Sequence, residues 1–211
     1  MSSIDVRLLH DQRVPTRDGP RLSADVYLPT TGGPLPTIVQ WTPYESTRER
    51  FIGWGVWFAR RGYAAVVVDV RGRYESDGDF TAWIHDGPDA QDTLTWAASR
   101  QWCNGRIGTW GRSYGGLVQW QLAHFGHPNL QCIAPQVIHD DYFWDGYFTG
   151  GAFQLALTLG AAALWSSAMA LITGPSSSTC RSSSRAAGST RTRARTCGRS
   201  RESPTASRTA S

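Results

Sequence analysis

Two short apolar runs rich in β-branched residues, TIVQWTP (37–43) and YAAVVVDVRG (63–72), leave this chain little choice of architecture. Neither alternates polar with apolar residues, so neither has a face to give to water. Such runs are central strands covered on both sides. Between them, RERFIGWGVWFARRG sets Phe51, Trp54, Trp57 and Phe58 at helical spacing and stops at Gly62, a C-cap signal. Strand, helix and strand in that order predict a right-handed βαβ unit. The pattern extends both ways. RLSADVYLP (21–29) alternates Leu22, Ala24, Val26 and Leu28 inward and predicts a strand with one solvated face. DGPDAQDTLTWAASRQ (86–101) predicts a helix with acids in its first turn. GRIGTWGRS (105–113) is strand-like, YGGLVQWQLAHFG (114–126) helix-like, and LQCIAPQVI (130–138) a strand again. The expected fold class is α/β, with a mostly parallel sheet and helices on both faces.

Where strand 105–113 meets helix 114–126 stands GRSYGG, with Ser113 between Gly111 and Gly115. Gly-x-Ser-x-Gly is the pattern of a nucleophile elbow. The serine occupies a strained strand-to-helix turn, and small neighbours let strand and helix approach. Alone, the motif is as well explained by a structural turn. Its strand–turn–helix context points to a nucleophile.

Four stretches carry a more specific likeness: VPTRDGPRLSADVYLP (14–29), TPYEST (42–47), GYAAVVVDVRGRYESDGDF (62–80) and WCNGRIGTWGRSYGG (102–116). From residue 5 to about residue 172 the chain resembles the X-Pro dipeptidyl-peptidase and cocaine esterase group of serine hydrolases, which includes α-amino-acid ester hydrolases. The resemblance implies an α/β-hydrolase core, a helical cap inserted in it and a C-terminal jelly-roll sandwich. It also implies hydrolysis of a small-molecule ester or peptide through a Ser–Asp–His triad, with no cofactor and no metal. Carried over residue by residue, Ser113 is the nucleophile, and the Tyr44 hydroxyl and the Tyr114 backbone N–H form the oxyanion hole. Without the resemblance, Tyr44 after Pro43 is equally a packing tyrosine at a strand end.

A serine hydroxyl needs a base, and the base needs an orienting acid. In α/β-hydrolases the chain order is Ser, acid, His. After Ser113 come His124, His127 and His139, and the acids Asp140, Asp141, Asp145 and Glu202, with no histidine after any acid. The order cannot be met within these 211 residues. His139 and Asp141 share one loop, too close in sequence for the carboxylate to reach round to the imidazole. A pocket role for Asp141 stays open, and His124 and His127 suit capping or solvation. The family's acid and base lie further downstream, after the cap. The expected organisation is therefore a partial α/β-hydrolase core over 1–147, the start of a helical cap over 148–173 and a truncated end, with little or no activity.

Residues 174–211 hold 17 Ser/Thr and eight Arg against one acid, Glu202, and no Leu, Ile, Val, Met, Phe, Tyr or Trp. A segment with nothing to bury is expected to be disordered. It carries +7 of a whole-chain +4, so residues 1–173 stand at −3. That balance argues against a nucleic-acid-binding body. The Arg-only, Ala-rich mix suggests GC-rich coding read out of frame; the rival is an Arg/Ser segment that binds RNA. Residues 146–180 contain no charge, and the run 152–172 is long enough to span a bilayer. Gln154, Thr158, Gly160, Ser166 and Ser167 dilute it, which favours a buried helix and no membrane contact. The alternative function is a non-catalytic membrane-associated or binding fragment using that run and the basic tail.

Asp69, Arg71, Asp77 and Asp79 in DVRGRYESDGDF suggest either a metal cluster or a loop held by Arg–Asp hydrogen bonds. With no His or Cys at ligand spacing, the loop is favoured. Cys103, Cys132, Cys180 and Cys197 show no metal or disulfide-scaffold spacing, and the charged start MSSIDVRLLHDQRV does not read as a signal peptide. A cytoplasmic setting is expected. The ten tryptophans are expected mostly in the core, a minority lining an acyl pocket.

Overall fold

A computed structural model of the chain describes residues 5–30, 32–139 and 146–160. Six strands form one mixed sheet: β1 Val6–Pro15, β2 Arg21–Pro29, β3 Leu35–Thr42, β4 Ala64–Asp69, β5 Cys103–Arg112 and β6 Leu130–Gln136. Their spatial order is β1-β2-β4-β3-β5-β6. The β1–β2 and β2–β4 pairs are antiparallel, whereas β3 pairs in parallel with β4 and β5, and β5 with β6. Three helices alternate with the parallel strands: α1 Glu49–Ala59, α2 Asp86–Ala98 and α3 Tyr114–Phe125. This is the α/β arrangement expected from the alternation of apolar runs and helical periods. A two-residue hairpin, β7 Phe148–Thr149 with β8 Ala152–Phe153, and helical residues 155–160 follow.

The core lies where β4 runs down the middle. All six of its residues are buried, and α1 packs against one face. Tyr27, Ala65 and Val67 turn to α1 and meet Phe51 and Ala59. By strand alternation their neighbours Val26, Val66 and Val68 face away, and each is no more than 1% exposed. Helix α1 approaches closely at Gly55, where an added Cβ would lie 2.4 Å from the Tyr27 ring.

One expectation about the sheet is corrected, and one strand is added. Strand β2 has no solvated face: Ser23, Asp25 and Tyr27 are at most 2% exposed. Alternation marked the apolar side correctly but not the polar side, which is buried because Asp25 and Ser23 find partners there. Asp25 accepts from the Asp11 amide at 3.0 Å, and Ser23 N–H donates to Ser76 Oγ at 2.8 Å. Strand β1 falls in a stretch whose charges hide its period. It is an edge strand, half exposed, with its register broken between Leu9 and Gln12.

No helix among the described residues is long and apolar enough to cross a membrane. Residues 161–172 of the apolar run, the 161–173 part of the expected cap and the whole 174–211 tail lie outside the described residues, as do Asp140, Asp141 and Asp145.

Candidate active site

Ser113 stands between β5 and α3 with φ 52° and ψ −118°, a backbone conformation that costs a non-glycine residue about 1–3 kcal/mol. The surroundings hold it there. Ser113 N–H donates to Gln136 O at 2.9 Å, and its carbonyl accepts from Gly116 N at 2.8 Å and Leu117 N at 3.0 Å. Gly115 explains itself by contact, since a Cβ there would sit 2.7 Å from the Trp41 carbonyl oxygen at the end of β3. A Cβ on Gly111 would lie 3.2 Å from Gly115 O. The motif's glycines thus let the start of α3 press against two strand ends. The serine itself is exposed.

Gln119 locks this corner and is fully buried. Its Nε2 donates to Gly115 O at 2.8 Å and Gly111 O at 3.3 Å, while Oε1 accepts from Thr109 Oγ1 at 3.0 Å and Ala134 N at 2.9 Å. One amide therefore ties β5, α3 and β6 together beneath the serine. Nothing in the motif announces it; a glutamine at the sixth position of α3, on an otherwise apolar helix face, was the available signal.

Tyr44 follows β3 and is half buried. Its loop is clamped from four sides. Tyr44 N–H donates to Thr42 Oγ1 at 2.9 Å, and Arg73 Nε donates to Pro43 O at 3.0 Å. Ser46 N–H donates to Asp69 Oδ1 at 2.8 Å, and Ser46 Oγ donates to Asp25 Oδ2 at 3.1 Å. Between them, Glu45 takes φ 77°. Burial pushes the Asp69 carboxyl up to about 7, against the pull of the Ser46 hydrogen bonds. Asp25 also meets His10 Nδ1 at 2.6 Å, and this bond raises the imidazole above its ordinary value.

Tyr114 opens α3, where the backbone N–H groups point out of the helix's N-terminal end. Its ring is buried. The phenol donates to Asp86 Oδ2 at 2.6 Å and accepts from Trp83 N–H at 3.3 Å. Burial raises the phenol and pushes the Asp86 carboxyl up to about 6. Asp86 therefore anchors the residue beside the serine, a role no sequence pattern marked.

Ser113, Tyr44 and Gly115 line one cleft of about 360 Å³, together with Trp41, Trp54 and Val137. No histidine is among its described lining residues. His139 and His124 are exposed. His127 accepts from Asn129 N–H on Nδ1 at 3.2 Å, which leaves Nε2 to meet Thr95 Oγ1 at 3.1 Å; burial lowers its pKa. The Asp-rich stretch is held in part by Arg–Asp bonds, with partners from distant segments, while Asp69 ends β4 and accepts from Ser46 instead. Arg71 pairs with Asp18 and Asp89, and Arg13 with Asp77. Among the described residues no three His, Cys, Asp or Glu are grouped to hold a metal. The tryptophan expectation needs correcting. Trp41 and Trp96 are the buried ones among those described, whereas Trp57 and Trp120 are 49% and 40% exposed.

Known proteins resemble this chain in sequence and fold. The sequence model of X-Pro dipeptidyl-peptidase (S15 family) matches residues 18–209. That match runs past residue 172, where the sequence reading ended the likeness, and so corrects its extent. Cocaine esterase of Rhodococcus sp. (strain MB1 Bresler) is 39% identical over 160 residues, which are 72% of this chain and 27% of the esterase. An α-amino-acid ester hydrolase structure superposes with TM-score 0.58 at 26% identity, over 67% of this chain and 27% of that one. A CocE/NonD family hydrolase from Staphylococcus aureus gives 0.56 at 25% identity, over 61% and 27%. The chain thus spans about a quarter of the length of these relatives. With an α/β-hydrolase sheet, a serine on a strained elbow and a family match over most of its length, the chain belongs to the X-Pro dipeptidyl-peptidase (S15) family of hydrolases.

Proposed function

We propose that Ser113 is the nucleophile of an acyl transfer that cleaves a small-molecule ester or a peptide amide. The observation that carries this reading is an exposed hydroxyl on a positive-φ bend at the mouth of the cleft it shares with Tyr44. Ser113 Oγ attacks the substrate carbonyl carbon, and the carbonyl oxygen becomes an oxyanion. The Tyr44 hydroxyl and the Tyr114 N–H donate to that oxyanion, the leaving group departs, and water releases the acyl group. The clamp on residues 42–46 and the Asp86 anchor on Tyr114 support these roles, because donors held before the reaction need no reorganisation during it.

The proton acceptor is not among these 211 residues in the order the fold requires. For this polypeptide alone the proposal is therefore weak turnover, about 10⁴- to 10⁶-fold below an intact triad. A fluorophosphonate probe tests both halves. Slow labelling that maps to Ser113 and vanishes in Ser113→Ala is expected. Labelling no faster at Ser113 than at other exposed serines refutes the nucleophile, and rapid labelling refutes the low activity. We place the chain in the cytoplasm, which cell fractionation checks. An out-of-frame origin for residues 174–211 has the family match through 209 against it, and sequencing the locus decides it.

A further inference from the structure

We propose that the cleft beside Ser113 selects an anionic substrate, an ester or amide whose acyl or leaving group carries a carboxylate held by Arg48, Arg50 and Arg112. This deepens, and rests on, the reading of Ser113 as nucleophile.

Three observations converge on it. The first is charge: Arg48, Arg50 and Arg112 all line the cleft, and no described lining residue is acidic. Arg48 shares its charge with Glu45 at 3.9 Å, whereas Arg50 and Arg112 form no ion pair among the described residues. The second is placement. The Arg50 guanidinium lies over the Phe51 and Tyr44 rings, 4.6 and 5.1 Å from their centroids, which seats a flat cation beside the oxyanion loop. Arg112 immediately precedes the nucleophile. The third is the backbone field. Helices α1 and α3, of 11 and 12 residues, both begin at this cleft, with Arg48 and Ser113 as their N-caps. The positive ends of two helix dipoles therefore add to the arginines.

The oxyanion of the reaction does not account for this much positive charge, since a hydroxyl and an amide are already assigned to it. A guanidinium instead offers a carboxylate two parallel N–H donors, which fixes orientation as well as charge. Trp54, Phe51 and Val137 are apolar residues of the same lining. At about 360 Å³ it lies at the small end of ligand sites, enough for a single-ring group.

The test needs no turnover. The whole chain is titrated with 4-carboxybenzamide, benzamide and 4-(aminomethyl)benzamide, which share a ring and differ in charge, and tryptophan fluorescence is read. The carboxylate is expected to bind about tenfold more tightly than the neutral amide at low salt, and the cation more weakly than either. The preference is expected to collapse in about 0.5 M salt and to fall about two- to fivefold in each of Arg50→Gln and Arg112→Gln. Equal affinities, a tighter cation, or a salt-independent preference overturn the proposal. The charge series and its salt dependence use the unaltered protein, so a variant that misfolds leaves the test intact. The fluorophosphonate experiment separates the two readings. Ser113 labelling without charge preference keeps the nucleophile and sinks the anion site; charge preference without labelling does the reverse.

Discussion

Replacing Arg71 by methionine removes the cation from a buried ion cluster while keeping much of the side-chain volume. Arg71 follows β4 and is 8% exposed. Its Nε and Nη2 donate to Asp89 at 3.0 and 2.6 Å, and its Nη1 and Nη2 donate to Asp18 at 2.6 and 2.8 Å. Asp89 lies in the first turn of α2 and is 3% exposed, so in the variant its carboxylate stays buried without its cation. Breaking a buried pair from one side costs about 3–5 kcal/mol. Asp89 can relieve part of this by taking a proton: burial already raises its pKa, and Arg71 is what pulls it down. The expected loss is therefore about 3 kcal/mol at pH 7, the low end of that range. The loss shrinks as pH falls toward 5 and Asp89 is neutralised. Urea unfolding followed by tryptophan fluorescence reads this, and Arg71→Met combined with Asp89→Leu is expected to recover most of it. A loss below about 1 kcal/mol, the value of a surface pair, refutes the reasoning. A loss unchanged from pH 7 to pH 5 refutes the assignment to Asp89.

Gly115→Ala drives a Cβ to 2.7 Å from the Trp41 carbonyl, a backbone atom that cannot step aside, and is expected to cost about 1–3 kcal/mol in urea unfolding and to abolish Ser113 labelling. Tyr114→Phe leaves the buried Asp86 with the Trp83 amide and is expected to cost about 1–3 kcal/mol and to raise the Asp86 carboxyl above about 6, read by NMR titration. Stability is expected to fall as pH rises from about 5 to about 8. The Asp69 and Asp86 carboxyls sit at about 7 and about 6, above the ordinary carboxylate value, and His10 is raised, so the folded chain binds more protons than the unfolded one across this window. His127, lowered by burial, opposes them. Asp69→Asn, whose amide oxygen can still accept from Ser46, is expected to flatten the profile in thermal unfolding; an unaltered slope excludes Asp69 as its source.

Much of the site was legible because its chemistry is local. The Ser113 bend, the glycines around it and the strand and helix on either side are all set within a dozen residues, and the structure has them together. Tyr44 became a candidate only through family resemblance, since its position in the cleft depends on β3 lying beside β5. Pattern reading did not assign their roles to Gln119, Asp86 or the Asp25–Ser46–Asp69 clamp. Each acts on a partner that the fold, not the sequence order, brings within reach.

By itself, the order of residues determined the sheet's interior and the elbow. Unbroken β-branched runs can only be covered strands, and glycine's missing Cβ permits an approach that other residues refuse. Tertiary structure decided that β1 pairs at the edge, that the polar side of β2 is buried, and that Arg48, Arg50 and Arg112 converge on one cleft. Those outcomes depend on hydrogen bonds and charges between segments far apart in the chain, and such partners carry no periodicity along it.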